Sequence, residues 1–326
     1  MKHLTNCWLF VAVLWLPSCP VWAQRNTETV SIVVPYPAGG SADVFARVIA
    51  PTLGKQLGLG VIVENISGAT GALAAMKVLG GPPDGSLLFL GSPSDAVLAP
   101  LAVSAAKYRA EDFRLLALLS TAPLALYTRG DLPANTVDEL VAYARRPNAK
   151  PLSYGSTGHG SLYHIVADKL LASADLGATH VPYKGGAPLL QDMMGGTIDL
   201  TVLPVDGTIA KLVETGKLKV LAVMADKRAD RFPNIPTLAE SQAFKGFATQ
   251  QVWAGIMLAR ATPEAVVEKL YRALFETLQT AEVRKGMEAA GGSSPVPMTL
   301  IEASAFYSAD STRLQALAKA ANVQPH

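Results

Sequence analysis

Cysteine is nearly absent: the 326 residues contain two, Cys7 and Cys19, both within the first 23 positions. If that segment is a leader removed on export, the remaining chain has no thiol. A disulfide framework, a cysteine nucleophile and a cysteine-held metal are then excluded. An excess of charge of one sign is also missing, with 28 Lys+Arg against 26 Asp+Glu. Loss of Lys2 with the leader reduces the net charge from +2 to +1. This gives no basic surface for nucleic acid. After the leader no stretch reaches the ~20 consecutive apolar residues that a membrane helix needs. The sequence also lacks a Gly-x-Ser-x-Gly elbow, a His-Glu-x-x-His pair and a Walker-type phosphate loop. His159 and His164 are five apart, off the i, i+4 spacing that puts two ligands on one helix face. No metal and no cofactor is expected.

The first 23 residues have the order of a secretory leader. Lys2 and His3 give a basic start, Cys7 to Leu16 an apolar run, and Val21-Trp22-Ala23 a small residue at the cleavage point. Domain bounds of 1–23 for a signal peptide and a periplasmic location follow. A lipid anchor on Cys19 is the rival reading, opposed by Pro17 and Pro20 flanking Ser18 and Cys19.

Short apolar runs then recur, bounded by Gly, Pro or Asp: Val30 to Val34, Val61 to Val63, Leu87 to Leu90, Leu115 to Leu119, Leu124 to Tyr127, Thr179 to Val181, Leu200 to Leu203, Val220 to Met224 and Val252 to Leu258. Helical patterns lie between most of them. Continuous apolar strands alternating with helices predict an α/β fold whose parallel sheets are covered on both faces. Phe45, Ile49, Leu53 and Leu57 repeat at helical spacing, with Pro51 expected to kink or shorten that helix. Thr136-Val137-Asp138-Glu139 reads as a capping box, and Thr262-Pro263-Glu264 as another helix start. The length favours two lobes over one core. A strand pair near Ser120 to Leu126 and the turn-rich Arg228 to Pro236 are expected to divide the chain into 24–122 with 228–326 and an inserted 123–227.

Two strand–loop–helix junctions carry the chemistry. Val30 to Arg47 reads as a buried strand, the loop Pro35-Tyr36-Pro37-Ala38-Gly39-Gly40, and a helix starting near Ser41. Free N–H groups and the helix dipole at such a start suit a carboxylate or phosphate. Tyr154 to Ser161, with Gly155, Gly158 and Gly160, repeats the arrangement in the inserted segment. One junction in each lobe could grip an anion from both sides of a cleft. Asp43, in the first turn, reads as helix stabilisation through the dipole, or else as a partner for a ligand ammonium group.

These residues resemble the Bug family, the extracytoplasmic solute receptors associated with tripartite tricarboxylate transporters. The likeness runs from about Thr29 to Val323. It is carried by residues 34 to 43, Val63-Glu64-Asn65 with Gly68 and Gly71, Pro83-Asp84-Gly85, Gly158-His159-Gly160-Ser161 with His164, residues 181 to 188, residues 195 to 199, Gly216-Lys217-Leu218, Leu221-Ala222-Val223 and residues 233 to 240. The resemblance implies a two-lobed periplasmic-binding-protein fold of the Venus-flytrap kind (type II). It further implies reversible capture of a small carboxylate by backbone and hydroxyl groups, with no catalysis. By position, Ala38, Gly39, Gly40, Ser41 and Ser92 would form the first-lobe grip and Gly158, His159, Gly160 and Ser161 the second. Tyr36 and Tyr183 would wall the cleft, and Asp206 would lie at its edge. His159 stands where the family commonly has asparagine, which would make binding pH-dependent. A monomer is expected, partnered by membrane transporter subunits or by a sensor kinase. An exported enzyme is the third reading.

Overall fold

The computed structural model describes residues 29–292 and 297–326. The leader, with Cys7 and Cys19, lies outside the described residues. In chain order the strands are β1 (Thr29–Val34), β2 (Gly60–Asn65), β3 (Leu87–Gly91), β4 (Phe113–Arg129), β5 (Leu152–Ser156), β6 (Ala178–Pro182), β7 (Leu200–Pro204), β8 (Leu218–Val223) and β9 (Gln251–Ala259). The helices are α1 (Ser41–Leu57), α2 (Ala72–Gly80), the single turn α3 (Ala99–Ala102), α4 (Val137–Ala144), α5 (Leu162–Ser173), α6 (Gly186–Met194), α7 (Gly207–Glu214), α8 (Glu264–Gln279), α9 (Ala281–Ala289) and α10 (Leu300–Ala320).

The expected strands form where the apolar runs lie, with one difference. Leu115 to Leu119 and Leu124 to Tyr127 belong to a single strand, β4, that serves two sheets. Its first half pairs antiparallel with β9, from Phe113 opposite Ala259 to Pro123 opposite Gln251. Its second half, from Leu124 onward, lies between β7 and β8. Pro123 has no N–H to give a ladder, and it stands where the partner changes. Beyond β9 the first sheet continues through β3 and β1 to β2, the last three mutually parallel. Beyond β7 the second continues through β5 to β6, again parallel. The molecule is thus a two-lobed α/β fold.

The chain returns to the first sheet where Met224 and Gln250 meet β4. Leu124 N–H donates to Gln250 O at 2.9 Å, and Met224 N–H to Leu124 O at 2.8 Å. Between them, Thr237 bridges to Val223, and the Ala243 N–H donates to Asp138 Oδ1 of α4.

Helix α1 runs through Pro51 to Leu57 without being shortened. Pro51 is exposed, while Ile49, Ala50 and Leu53 are buried around it, so packing holds the helix across the missing hydrogen bond. The Thr136 cap is present, with Glu139 N–H on Thr136 Oγ1 at 3.1 Å. Pro263 proves to be the cap residue of α8, and Val267, Leu270, Leu274 and Leu278 form its buried face. In the first lobe Phe89 stacks on Phe113 with centroids 4.9 Å apart. Each such ring, fully buried, contributes roughly 1.5–3 kcal/mol.

Candidate functional site

The parallel strands of both lobes end at the seam between them, where a crevice outside the carboxyl ends of strands places ligands in open α/β sheets. A cavity of about 250 Å³ lies there. Tyr36, Gly39, Gly40, Ser41 and Ala42 line it from the β1–α1 junction, Gly186 and Ala187 from the start of α6, and Asp206, Thr208 and Ile209 from the start of α7. Thr157, Tyr163, Leu190, Leu203 and Pro204 complete the wall. An adjoining chamber of about 80 Å³ shares Tyr36, Ser41 and Asp206 and adds Ser92, Phe45, Leu90 and Trp253. Neither is lined by Lys or Arg.

Positive potential therefore comes from backbone. Helix α1 is capped by Gly40 and α6 by Gly185, and neither has a side chain accepting from its first N–H groups. Two uncapped helix starts thus face one cavity, each with about half a positive charge from its dipole. Gly39 adopts φ +85°, a conformation costly for any side chain, whereas a Cβ at Gly186 would meet nothing within 4 Å. Thr157 adds a hydroxyl: its Oγ1 is buried and has no hydrogen-bond partner among the described residues.

One buried acid, Asp206, borders the cavity, and a second, Asp95, lies behind Tyr36 and Ser92. Ser41 Oγ donates to Asp206 Oδ2 at 2.5 Å, joining the first lobe to the second. Asp206 also caps α7 by accepting from the Ile209 N–H at 2.9 Å. Burial raises its carboxyl above the ordinary range, against the pull of these donors. Asp95, fully buried, accepts from Tyr36 Oη at 2.9 Å and from the Ser92 N–H at 2.7 Å, with Ser92 Oγ also donating to it. Desolvation pushes its pKa up to about 7 despite the three donors.

Of the residues expected from sequence, Tyr36, Gly39, Gly40, Ser41 and Asp206 converge on the main cavity and Ser92 on its neighbour. Ala38 lines neither, and the Gly39 N–H is committed to Asp43 Oδ2 at 2.9 Å. Asp43 also takes Arg47 Nε at 3.0 Å and Asn65 Nδ2 at 3.0 Å. Burial opposes its charge, but these three partners hold the carboxyl below its usual range, the stabilising role expected of a first-turn acid.

Gly158 to Ser161 lie elsewhere along the seam. Thr70 Oγ1 donates to His159 O at 2.8 Å, and a Cβ on Gly160 would collide with Ala102. Ser161 is fully buried and spends its hydroxyl capping α5, on the His164 N–H. Tyr183 Oη donates to Asp192 Oδ2 at 2.6 Å. His159 and Tyr183 face a separate cleft with Lys184 and His326. Burial lowers the pKa of His159, and His326 beside it lowers it further.

The residues that sequence reading passed over are Thr157, Tyr163, Gly186, Ala187 and Thr208. A signal existed: Tyr183-Lys184-Gly185-Gly186-Ala187 follows β6 as Ala38-Gly39-Gly40-Ser41 follows β1, and Asp206-Gly207-Thr208 follows β7 in the same way.

Two lobes joined by a shared strand, with a cavity between them, define the solute-receptor class of the periplasmic binding proteins. The chain belongs to the tripartite tricarboxylate transporter family receptors, whose model matches residues 45–323. It is similar to protein BugT of Bordetella pertussis, 30% identical over 301 residues, covering 89% of this chain and 88% of that one. The periplasmic binding protein BugD superposes with a TM-score of 0.81 at 30% identity, covering 91% of this chain and 99% of its own. MatC from Rhodopseudomonas palustris, with bound malate, gives 0.81 at 28% identity, with 89% and 98% covered. No described helix is long and apolar enough to cross a membrane.

Proposed function

We propose that this protein captures a small organic acid reversibly between its lobes, unchanged, and presents it to the membrane subunits of a tripartite tricarboxylate-type transporter from the periplasm. The observation that carries the reading is the pair of uncapped helix starts, α1 and α6, facing one cavity from opposite lobes without a lysine or arginine between them. Backbone N–H groups arranged in this way bind carboxylates through charge-assisted hydrogen bonds. The bound malate of MatC agrees with that chemistry.

In this reading the carboxylate lies against Ser41, Ala42, Gly186 and Ala187, with Thr157 Oγ1 adding a hydrogen bond. The carbon body lies against Tyr163, Leu190 and Leu203. Ser41 and Asp206 latch the closed form. The lobes divide where β4 changes partners, at Pro123 and Leu124, and again where Met224 and Gln250 meet it.

The test is a thermal-shift screen of mono-, di- and tricarboxylates, amino acids and aromatic acids, with recovery of each hit for mass analysis. A ligand bound only by the native state raises the melting temperature, by about 2.7 kcal/mol of stability at a concentration of 100 Kd. At least one organic acid should do so and be recovered intact. Shifts from none of them, or recovery of an altered product, would refute the proposal.

A further inference from the structure

The sequence holds five histidines, and all four that follow the leader, His159, His164, His180 and His326, meet in one place. The His164 and His180 rings stack with centroids 3.9 Å apart, His159 lies 4.8 Å from His164, and His326 lies 4.1 Å from His159. They come from four parts of the chain: the loop after β5, the first turn of α5, β6 and the last residue of the sequence. The i, i+4 rule that argues against a pair at 159 and 164 does not apply, because His159 is in the loop before α5.

We propose that this cluster is a binding site for a divalent late first-row cation of the zinc and copper class, separate from the carboxylate cavity. One nitrogen from each of His159, His164 and His180 lies within 4.8 Å of the others. Tetrahedral coordination with bonds of about 2.0–2.1 Å brings donor nitrogens to about 3.4 Å, so His164 and His180 must turn out of their near-parallel stack to aim at one ion. Imidazole nitrogen is the donor that this class of cation favours.

In His180 and His326 the second ring nitrogen is held as metal-binding histidines hold it. His180 Nε2 lies 2.7 Å from Ser156 Oγ, whose own proton goes to Gly158 O, so Nε2–H donates and Nδ1 keeps its lone pair. His326 Nδ1 lies 2.6 Å from Ala102 O, which can only accept, so the His326 lone pair is on Nε2. The His159 ring makes no hydrogen bond among the described residues, leaving a nitrogen available. His164 Nδ1 accepts from the Gly160 N–H at 3.0 Å and would exchange that bond for the cation. The ligands are neutral imidazoles, so no proton need leave.

His159, His164 and His180 belong to the lobe that carries β5 and β6. His326 is fixed on Ala102 of the other lobe, and all the rings adjoin the seam that Thr70 and His159 close. A cation shared by the three and by His326 therefore favours the closed form, and should strengthen capture in the carboxylate cavity. That second step rests on the receptor reading; cation binding itself does not.

The test uses the untagged protein, titrated calorimetrically with Zn²⁺ and followed optically with Co²⁺. One Zn²⁺ per chain should bind with micromolar or tighter Kd, and Co²⁺ should develop the intense visible bands of a tetrahedral nitrogen site. His159→Gln, which removes a ring that makes no hydrogen bond among the described residues, should weaken Zn²⁺ at least tenfold, and His326→Ala at least threefold. Absence of saturable binding below 1 mM, or undiminished affinity in His159→Gln, would overturn the site. Zn²⁺ binding that leaves carboxylate affinity unchanged would overturn only the coupling.

Discussion

Thr157 and Asp95 are the residues whose chemistry is least explained by folding alone. Thr157 Oγ1 is buried beside the cavity without a partner, a cost of about 1–3 kcal/mol in the ligand-free protein. Thr157→Val keeps the shape and removes that cost. Calorimetry should show ligand affinity about tenfold lower, while chemical denaturation shows equal or higher stability. Asp95 is predicted to act on stability through pH. Its folded pKa of about 7 is above the ordinary 3.8, so the folded state holds a proton that the unfolded state has released between these values. Its contribution is greatest below about pH 4 and falls as pH rises through about 7. Asp95→Asn does not titrate, so its melting temperature should gain on that of the parent across this window and stay level above it. A constant difference from pH 4 to pH 8 would show that Asp95 is ionised throughout.

Among the elements, the strand-to-helix junctions decide the site, and α6 offers the sharpest contrast between stability and binding. Gly186 begins this helix in open space, so Gly186→Asp places a carboxylate at an uncapped start. The dipole interaction should stabilise the protein by roughly 0.3–1 kcal/mol. The same carboxylate occupies the position proposed for the ligand, so affinity should fall at least tenfold. Parallel loss of both would indicate a purely structural role for the α6 start. The strands were legible because strands buried on both faces are continuous apolar runs, although β4, β8 and β9 pair antiparallel where parallel sheets were expected, and β1 with α1 was legible down to Gly39, Gly40 and Ser41. The second-lobe contacts other than Asp206 were not. Gly158 to Ser161 and Gly185 to Ala187 look alike locally, each a glycine turn after a strand. Which one reaches the main cavity is set by strand order and by how the lobes meet, neither of which local spacing encodes. Likewise, two apolar runs could not reveal that β4 is continuous, because its partners change at Pro123.

For the whole molecule the central claim is mechanical: an anion gripped from both lobes has more contacts in the closed form than in the open one, and such differential binding drives closure. The Ser41–Asp206 bond and the Thr70 contact to His159 O show that the two lobes meet in this structure. Ser41→Ala removes one of these ties and should leave more of the protein open at a given ligand concentration. The most direct test is small-angle X-ray scattering of the parent protein with and without a saturating carboxylate identified by the thermal screen. A smaller radius of gyration in the liganded protein, with a smaller open fraction than in Ser41→Ala at subsaturating ligand, is the result predicted. An unchanged radius in the parent protein at saturation would contradict capture by closure.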